Sequence, residues 1–392
     1  MGRESHRAAV AVGIVLSAWR CFAQIPGPLL DPRKNVQAEV YDLSPALRSE
    51  WEQGRYSTNE IWLGLGGYHF SDLNAVERGV VNLPLSSRIL FHGDVRNDRD
   101  PDVHVTRLVV DLWGRMLPWL WLGPSGSPAI PGSQKETYAI GASGLVGDLT
   151  RERYLLARLV LDATFYNQLN REGGHRNSPT FHPELEARWS DGEWSLYSRL
   201  DLISPTETFF PDTRPVTYQA SARAEYEFHL RYARRQWEGD LRFDLLGLRD
   251  DRDENGQAIT NRRLQTTTRA EALLRPSIGW PLALRGGVRL LADSFHARAG
   301  DAYQLFRIVP GFRVGAVWEG ATNQAELGYV TGFPHFAVTL NGVQQDLPHY
   351  EDSAYAQWQY SPAKHFHLRA QVSFGLAHPG FGGASVLLLA QF

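Results

Sequence analysis

Cysteine is almost absent from this chain of 392 residues, in which Cys21 is the single example. One cysteine cannot build a disulfide framework, and covalent haem attachment needs a C-x-x-C-H motif that the chain lacks. Lipid attachment is not expected either, because the residue before Cys21 is the large, charged Arg20. These absences argue against a disulfide scaffold, a c-type cytochrome and a lipoprotein.

Long apolar runs and a basic charge excess are missing as well. After the N-terminus no apolar run reaches about 18 residues, so the sequence predicts no transmembrane helix. The formal net charge is −3, which is not the basic footprint of a protein that binds nucleic acid. Lysine occurs only three times, so arginine supplies 37 of the 40 cationic side chains. A GC-rich genome would explain this bias, and so would a need for rigid, paired cations.

Residues 1–23 have the features of a secretory signal peptide. Arg3 and Arg7 give a basic start, residues 8–18 form a short apolar core, and Ala23 ends a suitable cleavage site. A cut at the end of the apolar core is the alternative. The chain is therefore expected to leave the cytoplasm.

Residues 24–58 alternate poorly and are predicted to form an N-terminal periplasmic arm or a partial plug. Ser44 and Pro45 favour the start of a short helix that runs to Trp51, with serine as the cap and proline in the first turn. An additional strand at 35–41 is the alternative for this segment.

From residue 59 to the C-terminus, apolar and polar residues alternate in long runs. In TYQASARAEYEFHLRY, residues 217–232, no position breaks the alternation. Successive side chains of a strand point to opposite faces, so each run predicts a ribbon with one apolar and one polar side. Other examples are 153–166, 237–245, 284–293 and 366–376.

Sixteen strands are predicted, and many are about ten residues or longer. Strands of soluble proteins are mostly about 5–6 residues long, whereas a membrane-spanning strand needs about 9–11. The polar faces carry charges of both signs, as a water-filled lumen would. The sequence thus predicts an all-β fold, a closed antiparallel up-and-down transmembrane β-barrel. The predicted bounds are 59–70, 87–97, 103–114, 136–147, 152–166, 180–189, 193–203, 216–232, 237–248, 263–275, 282–293, 305–318, 323–333, 353–360, 364–376 and 384–392.

The predicted connections alternate between long and short. Outer-membrane barrels have short periplasmic turns and long external loops, so this rhythm predicts that the barrel begins and ends on the periplasmic side. Tryptophans lie at or near the short turns, which predicts an aromatic girdle there. Long connections include 115–135, 167–179, 204–215, 249–262 and 334–352, and the girdle would contain Trp189, Trp194, Trp237, Trp280, Trp318 and Trp358.

Over residues 59–392 the chain resembles porin-like β-barrel proteins of the Gram-negative outer membrane. The resemblance includes the final segment SVLLLAQF, in which alternate residues up to Phe392 share one face. A terminal Phe392 is similar to the assembly signal that the barrel-insertion machinery reads, although Leu387 stands where a glycine is common. The resemblance implies residence in the bacterial outer membrane, in contact with its lipid and lipopolysaccharide, with no cofactor.

Charged residues of the polar faces are predicted to line the lumen. Rings of charge set selectivity in pores, but arginine opposite carboxylate on a neighbouring strand would also brace the wall. The mixed signs predict no strong preference between anions and cations. The predicted lumen residues are Arg107, Asp111, Arg158, Asp162, Glu186, Arg188, Arg199, Asp201, Arg223, Glu225, Arg242, Asp244, Arg269, Glu271, Arg285, Arg289, Asp293, Arg313 and Arg369.

Two local motifs raise other chemistry without establishing it. DRDENG at 251–256 places Asp251, Asp253 and Asn255 at the offsets of a calcium loop, but Arg262 replaces the glutamate that would complete it. An acidic loop with an Asn-Gly turn is the simpler interpretation, so no metal site is assigned. The histidines fall outside any recognised catalytic motif, so no catalytic residue is assigned.

A porin-like channel for small hydrophilic solutes is the leading functional expectation. The alternative is a barrel sheath or scaffold in a trans-envelope complex, such as a porin–cytochrome conduit or a polysaccharide export assembly, with a periplasmic or lumen-docked protein partner. An outer-membrane lipid hydrolase is the least favoured class, because barrel enzymes need a constellation of catalytic groups near the outer rim.

Overall fold

The computed structural model describes most of the chain from residue 59 to residue 391. The described ranges are 59–67, 74–99, 104–127, 139–148, 153–162, 175–176, 180–209, 216–254, 256–276, 280–299, 301–332, 335–340, 343–345, 351–363, 366–376 and 380–391. The predicted signal peptide, the predicted arm at 24–58 and Phe392 lie outside these ranges. Within them, no helix is long and apolar enough to cross a membrane.

The described residues form 21 β-strands, which belong to one antiparallel sheet. Their bounds are β1 Glu60–Gly67, β2 Asn74–Ser86, β3 Ile89–Arg99, β4 His104–Leu117, β5 Leu120–Ser127, β6 Ala139–Asp148, β7 Arg153–Asp162, β8 His175–Arg176, β9 Thr180–Ser190, β10 Trp194–Phe209, β11 Val216–Ala233, β12 Trp237–Glu254, β13 Gln257–Leu274, β14 Leu282–Ala299, β15 Asp301–Glu319, β16 Asn323–Gly332, β17 His335–Leu340, β18 Val343–Gln345, β19 Glu351–Ala363, β20 Phe366–Gly375 and β21 Gly380–Gln391.

Neighbours in the sequence are neighbours in the sheet, which is the up-and-down order that alternation and short turns predict. Eighteen of the described strands follow one another in this order: β1–β7, β9–β16 and β19–β21. β16 and β17 both pair with β15 and do so in the same register, with β17 beside the earlier residues of β15. β18 pairs with β17. β1 also pairs with β21, from Glu60↔Gln391 to Gly67↔Ala384, so the order of pairings returns to its start.

The predicted number of sixteen strands is wrong, because β2 and β5 lie in stretches that the sequence predicts as connections. β2 contains Val80 and Val81 side by side and Pro84 near its end, where its register with β3 shifts. β5 has the sequence LWLGPSGS, which has the composition of a loop. Both strands are held by hydrogen bonds to two neighbours, so the ladder overrides weak local propensity. All sixteen predicted strands otherwise have a counterpart.

The strands on one side of the sheet are longer than predicted. β11–β14 have 18 residues each and β15 has 19. The predicted loop at 249–262 is instead a paired extension of β12 and β13 up to Glu254↔Gln257, with Gly256 at φ +73° in the turn. β15 continues through Pro310, which pairs with Leu290 without a register shift.

Candidate channel interior

The two faces of the sheet differ sharply in exposure, as β7 shows. Leu155 and Leu159 are both 48% exposed, whereas Leu156 and Arg158 on the opposite face are both 3% exposed. A soluble protein would bury the leucines and expose the arginine. The face that carries the buried charges is the concave inner face, because charged groups from strands that are not neighbours meet on it.

The outer face is an apolar belt with tryptophans near the short connections. At the 191–193 turn, the Trp194 backbone N–H donates to Asp191 Oδ1 at 2.7 Å, and Gly192 has φ +96°, a conformation that favours glycine in an Asp-Gly turn. Tyr232 lies between Trp194 and Trp237, with ring centroids 4.5 Å from each. All six tryptophans of the predicted girdle are 41–53% exposed, and Trp119 is 54% exposed. These rings lie where an aromatic girdle of a membrane barrel would be.

One network of ion pairs fills the inner face between β3 and β10. Arg158 on β7 lies 2.7 Å from Asp111 on β4 and 3.0 Å from Glu184 on β9. Glu184 also lies 3.2 Å from Arg199 on β10, and Arg199 lies 3.8 Å from Asp94 on β3. The side chains are between 0% and 8% exposed. The charges are therefore withdrawn from water, and each depends on its partners. We call this set, Asp94, Asp111, Arg158, Glu184 and Arg199, the closed network.

The closed network requires the sheet to approach itself, because five ring strands separate β3 from β10. Two neighbouring strand pairs of this sector are also in close backbone contact. A Cβ on Gly123 of β5 would overlap the carbonyl oxygen of Leu112 on β4, and one on Gly141 of β6 would overlap that of Leu159 on β7. Only a residue without a side chain tolerates such close backbone contact.

Aromatic and hydroxyl groups extend the closed network. The Trp113 indole donates to Ser143 Oγ at 2.7 Å, and Ser143 donates to Asp111 at 2.7 Å. Tyr154 donates to Glu186 at 2.6 Å. Toward the short turns, buried apolar side chains pack on the same inner face: Val80, Trp113, Leu145, Tyr154, Leu156, Tyr197, Leu387 and Leu389. This sector is packed like a protein core.

A second inner network lies on β13–β16 and β19 and is more open to water. Arg313 lies 2.9 Å from Glu326 and 3.4 Å from Glu271, and Arg285 lies 3.1 Å from Glu326 and 3.4 Å from Glu271. Tyr355 donates to Glu326 and accepts from Arg313 at 2.7 Å. The Arg285 and Arg313 side chains are 23% and 20% exposed. We call this set the open network.

Tyr355 reaches Arg313 because two glycines leave room for its ring. A Cβ on Gly328 would overlap the ring, and a Cβ on Gly315 would lie 2.9 Å from the hydroxyl oxygen. The ring therefore lies against the wall of β15 and β16, with the Arg313 guanidinium 4.7 Å from its centroid.

Charged groups also converge near the short turns that join β11 to β12, β13 to β14 and β15 to β16. Arg275 lies 2.8 Å from Glu319 and 2.7 Å from Glu238, which also accepts from Arg231 at 2.8 Å. The hydrogen bond to Glu319 is the main cause that raises the pKa of Arg275 above its ordinary value. Exposure of these side chains ranges from 20% to 32%, so water reaches this rim.

The structure places the sequence-predicted lumen residues in two groups. Those with described side chains are on the inner face: Asp111, Arg158, Glu186, Arg188, Arg199, Asp201, Glu225, Arg242, Asp244, Arg269, Glu271, Arg285, Arg289, Arg313 and Arg369. The others hold strand positions of the matching parity, which are Arg107, Asp162, Arg223 and Asp293. Whether solute passes along any of them stays a prediction.

Several members of the networks were missed from the sequence. Glu184 and Glu326 alternate with apolar residues in their own strands, and Asp94 alternates with His92, so period-two parity would have found them. Tyr355 carries no such signal, because aromatic residues also occur on the outer face.

The calcium motif does not form a loop. Asp251 and Asp253 lie within β12, and Asp251 accepts hydrogen bonds from Arg249 and Arg262, the latter at 3.3 Å. Two guanidinium groups therefore share one oxygen, Oδ2, of the carboxylate that a cation would need. Asn255 lies outside the described residues. Among those described, no group of three or more His, Cys, Asp or Glu residues could hold a metal ion.

The chain matches no protein-family model and no curated protein. Solved structures similar to it include a bacterial polysaccharide outer-membrane secretin, with 13% identity, a TM-score of 0.41, and coverage of 86% of this chain and 99% of that one. Another is OccK11 of Pseudomonas aeruginosa, with 11% identity, a TM-score of 0.36 and coverage of 86% and 95%. A loop-deletion variant of OmpT, an outer membrane protein of Vibrio cholerae, has 9% identity, a TM-score of 0.35 and coverage of 85% and 97%.

The class of protein follows from the chain's own geometry. An up-and-down antiparallel sheet whose last strand pairs with its first leaves no free edge along the paired strands. Its outer face is apolar, and its inner face carries the charges. Lipid requires this arrangement, since backbone groups must be paired and side chains in contact with hydrocarbon must be apolar. The chain thus has the architecture of a β-barrel of the outer-membrane type.

Proposed function

We propose that the protein is an outer-membrane channel that passes small hydrophilic solutes along the inner face of β11–β16. One observation carries the proposal: the arginines of the open network and of the rim are more exposed than those of the closed network, although Glu326 and Arg242 on the same strands are buried. The Arg158 and Glu184 side chains of the closed network are 1% and 3% exposed. Arg285 is 23% exposed and Arg231 is 32% exposed. A hydrated solute follows groups that water reaches, so its path would run beside the open network.

The chemistry of this path suits polar solutes of either charge. From the rim toward the centre it offers Arg231, Arg275 and Arg285, which alternate with Glu238, Glu319 and Glu271. Such groups replace part of a solute's hydration shell at each step. Because every cation here has a carboxylate partner, the net field is small, and we expect weak selectivity between anions and cations.

The closed network makes a sheath for a large partner less favourable. Arg199 and Asp94 meet across the interior, and a docked protein would have to separate these buried charges. Separating a buried pair costs several kcal/mol, on the order of 3–5. The scaffold or export role remains the alternative, and a stably co-purifying periplasmic partner would favour it. The proposal assigns no catalytic step to the chain.

Thiol modification in planar bilayers tests the path. Cys21 lies in the predicted signal peptide, so an introduced cysteine would be the only thiol of the mature barrel. We expect a charged, water-soluble methanethiosulfonate reagent to lower the conductance of Arg231→Cys and Arg285→Cys. Ser143→Cys is the matched control, because Ser143 is on the inner face but is only 5% exposed. It should keep its conductance.

Two results would contradict the proposal. One is a folded wild-type barrel that passes no current in the absence of any partner. The other is equal block at Ser143 and at the two arginine positions, which would move the path to the other sector.

A further inference from the structure

Glu271 on β13 lies among three arginines of the inner face without a short bond to any of them. Its carboxylate is 3.4 Å from Arg285 and from Arg313, and 3.9 Å from Arg269 on its own strand. Well-formed charged hydrogen bonds between arginine and carboxylate are about 2.7–2.9 Å long. Glu271 is therefore surrounded by cations, but none of those that the structure describes holds it closely.

Glu326, the second carboxylate of the open network, is held much more tightly. Arg313 lies 2.9 Å and Arg285 lies 3.1 Å from its carboxylate, and Tyr355 donates a hydrogen bond to it. The Glu326 side chain is 1% exposed, whereas that of Glu271 is 11% exposed. Of the two carboxylates, Glu271 is thus the one that water reaches and that costs less to displace.

The wall next to Glu271 places three arginines side by side. Arg269 is the ladder partner of Arg242 on one side and of Arg289 on the other. Like charges that face each other across a ladder are destabilising. Asp244 neutralises Arg242 through hydrogen bonds of 2.8 and 3.2 Å, but no described carboxylate lies nearer to Arg269 than Glu271. A wall built only for bracing would place a carboxylate opposite each arginine.

The described carboxylates of the same face do not balance these arginines. Arg269, Arg285 and Arg313 share two of them, Glu271 and Glu326. One guanidinium charge is therefore in excess around Glu271. The carboxylates at the adjoining positions of β12 contact other cations, which are Arg242 for Asp244 and His229 for Asp240.

We propose that Glu271 is the resident anion of a binding site for the oxyanion group, carboxylate or phosphate, of a small solute. The solute's oxyanion accepts hydrogen bonds from Arg269, Arg285 and Arg313 as the Glu271 carboxylate turns away from them. Guanidinium groups match planar or closely spaced anionic oxygens. The inference rests on the proposed function for its ligand, because the site borders the path assigned to solutes.

Exchange of one carboxylate for another suits a channel. A solute must bind well enough to enter and weakly enough to leave. Glu271 competes with the bound oxyanion and so favours its release. The rim groups keep their own partners, so the weak ion preference expected there is unchanged.

NMR line broadening of two probes, with the full-length barrel in a phosphate-free detergent, tests the site. The probes are inorganic phosphate, observed through phosphorus, and trifluoroacetate, a carboxylate observed through fluorine. Titration gives an affinity whether or not the barrel conducts. We expect Arg269→Gln to weaken binding at least about tenfold, since charged hydrogen bonds are lost. Glu271→Gln should strengthen binding by about threefold or more, because it removes the competing charge.

Arg263→Gln is the matched control. Arg263 is an arginine on the inner face of the same strand, 9% exposed, and about 20 Å from Arg269 along β13. Its removal deletes the same charge and should leave binding at the wild-type level. Arg269→Lys keeps the charge and should bind better than Arg269→Gln. The heat-dependent gel mobility of each variant reports whether its barrel is folded.

Stronger binding in Glu271→Gln is the result that a purely structural carboxylate would not produce. Equal affinity in the wild type and Arg269→Gln, weaker binding in folded Glu271→Gln, or no binding of either probe to the wild type would overturn the proposal. A barrel that conducts without binding the probes refutes only the site. A barrel that binds them with this mutational pattern but passes no current refutes only the channel.

Discussion

Arg199 on β10 lies 3.8 Å from Asp94 on β3, although five strands of the ring separate them. The interior of the barrel is therefore divided. The sector around these two residues is packed and dry, and the sector around Arg285 and Arg313 is wetter. Four predictions follow from this division and from the polarity of the two faces.

Removal of the central cation of the closed network should destabilise the barrel strongly. Arg158→Met leaves Asp111 and Glu184 buried without their shared partner, and we expect a loss of about 3–5 kcal/mol in the free energy of unfolding. Urea titration of the barrel in lipid vesicles, followed by tryptophan fluorescence, measures this loss. Arg234→Met is the control. Because Arg234 and Glu193 are 60% and 53% exposed, their pair should contribute little to stability. Similar losses in both variants would refute a buried network.

The glycines of β5 and β6 should not tolerate even a methyl group. Gly123→Ala places a Cβ against the carbonyl of Leu112, so the two strands must separate. We expect about 1–3 kcal/mol of destabilisation, the usual cost of overpacking. Gly286→Ala is the matched control in β14, where a Cβ meets nothing within 4 Å. That change should stay within about 0.5 kcal/mol. A neutral Gly123→Ala would mean that this part of the sheet is looser than its geometry indicates.

Charge at the rim should tune ion preference. Arg231→Gln/Arg275→Gln removes two cations that pair with Glu238 and exposes its negative charge to the path. One unit charge about 6 Å from an ion in water changes its energy by about 0.7 kcal/mol, or roughly threefold in population. The permeability ratio of potassium to chloride, obtained from reversal potentials, should rise by about that factor. Arg234→Gln should leave the ratio unchanged, and an unchanged ratio in the double variant would place the path elsewhere.

The sequence predicted the type of fold better than its details. Strict alternation in 217–232 and the Asp191–Gly192 turn each specify one feature of an up-and-down barrel, and both are found. β2 and β5 were missed because Pro84 and the glycines of β5 are poor strand formers locally, and only the ladders on both sides hold them. The strand residues in 249–262 were predicted as a loop because this polar wall lies beyond the apolar belt. Its residues are mostly polar on both faces, so the sequence there does not alternate between apolar and polar.

The alternation of side chains along each strand was enough to place the predicted charges on one face of the sheet. It could not show which of these charges lie in contact. The approach of Arg199 to Asp94 depends on how the sheet curves between β3 and β10. Sequence spacing carries no information on such contacts between distant strands. For the same reason, the sequence could not divide the interior into a dry and a wet sector.

The most direct test of the account is oxygen and nickel accessibility of spin labels placed one at a time along β14, from Leu284 to Leu290. In lipid vesicles, labels at Leu284, Gly286, Val288 and Leu290 should collide frequently with oxygen, which partitions into lipid. Labels at Arg285 and Arg289 should show low oxygen accessibility and, where water enters, contact with a soluble nickel chelate. A period of two with this phase is the predicted result. Uniform nickel access, or the opposite phase, would contradict a barrel with hydrocarbon outside and charge within.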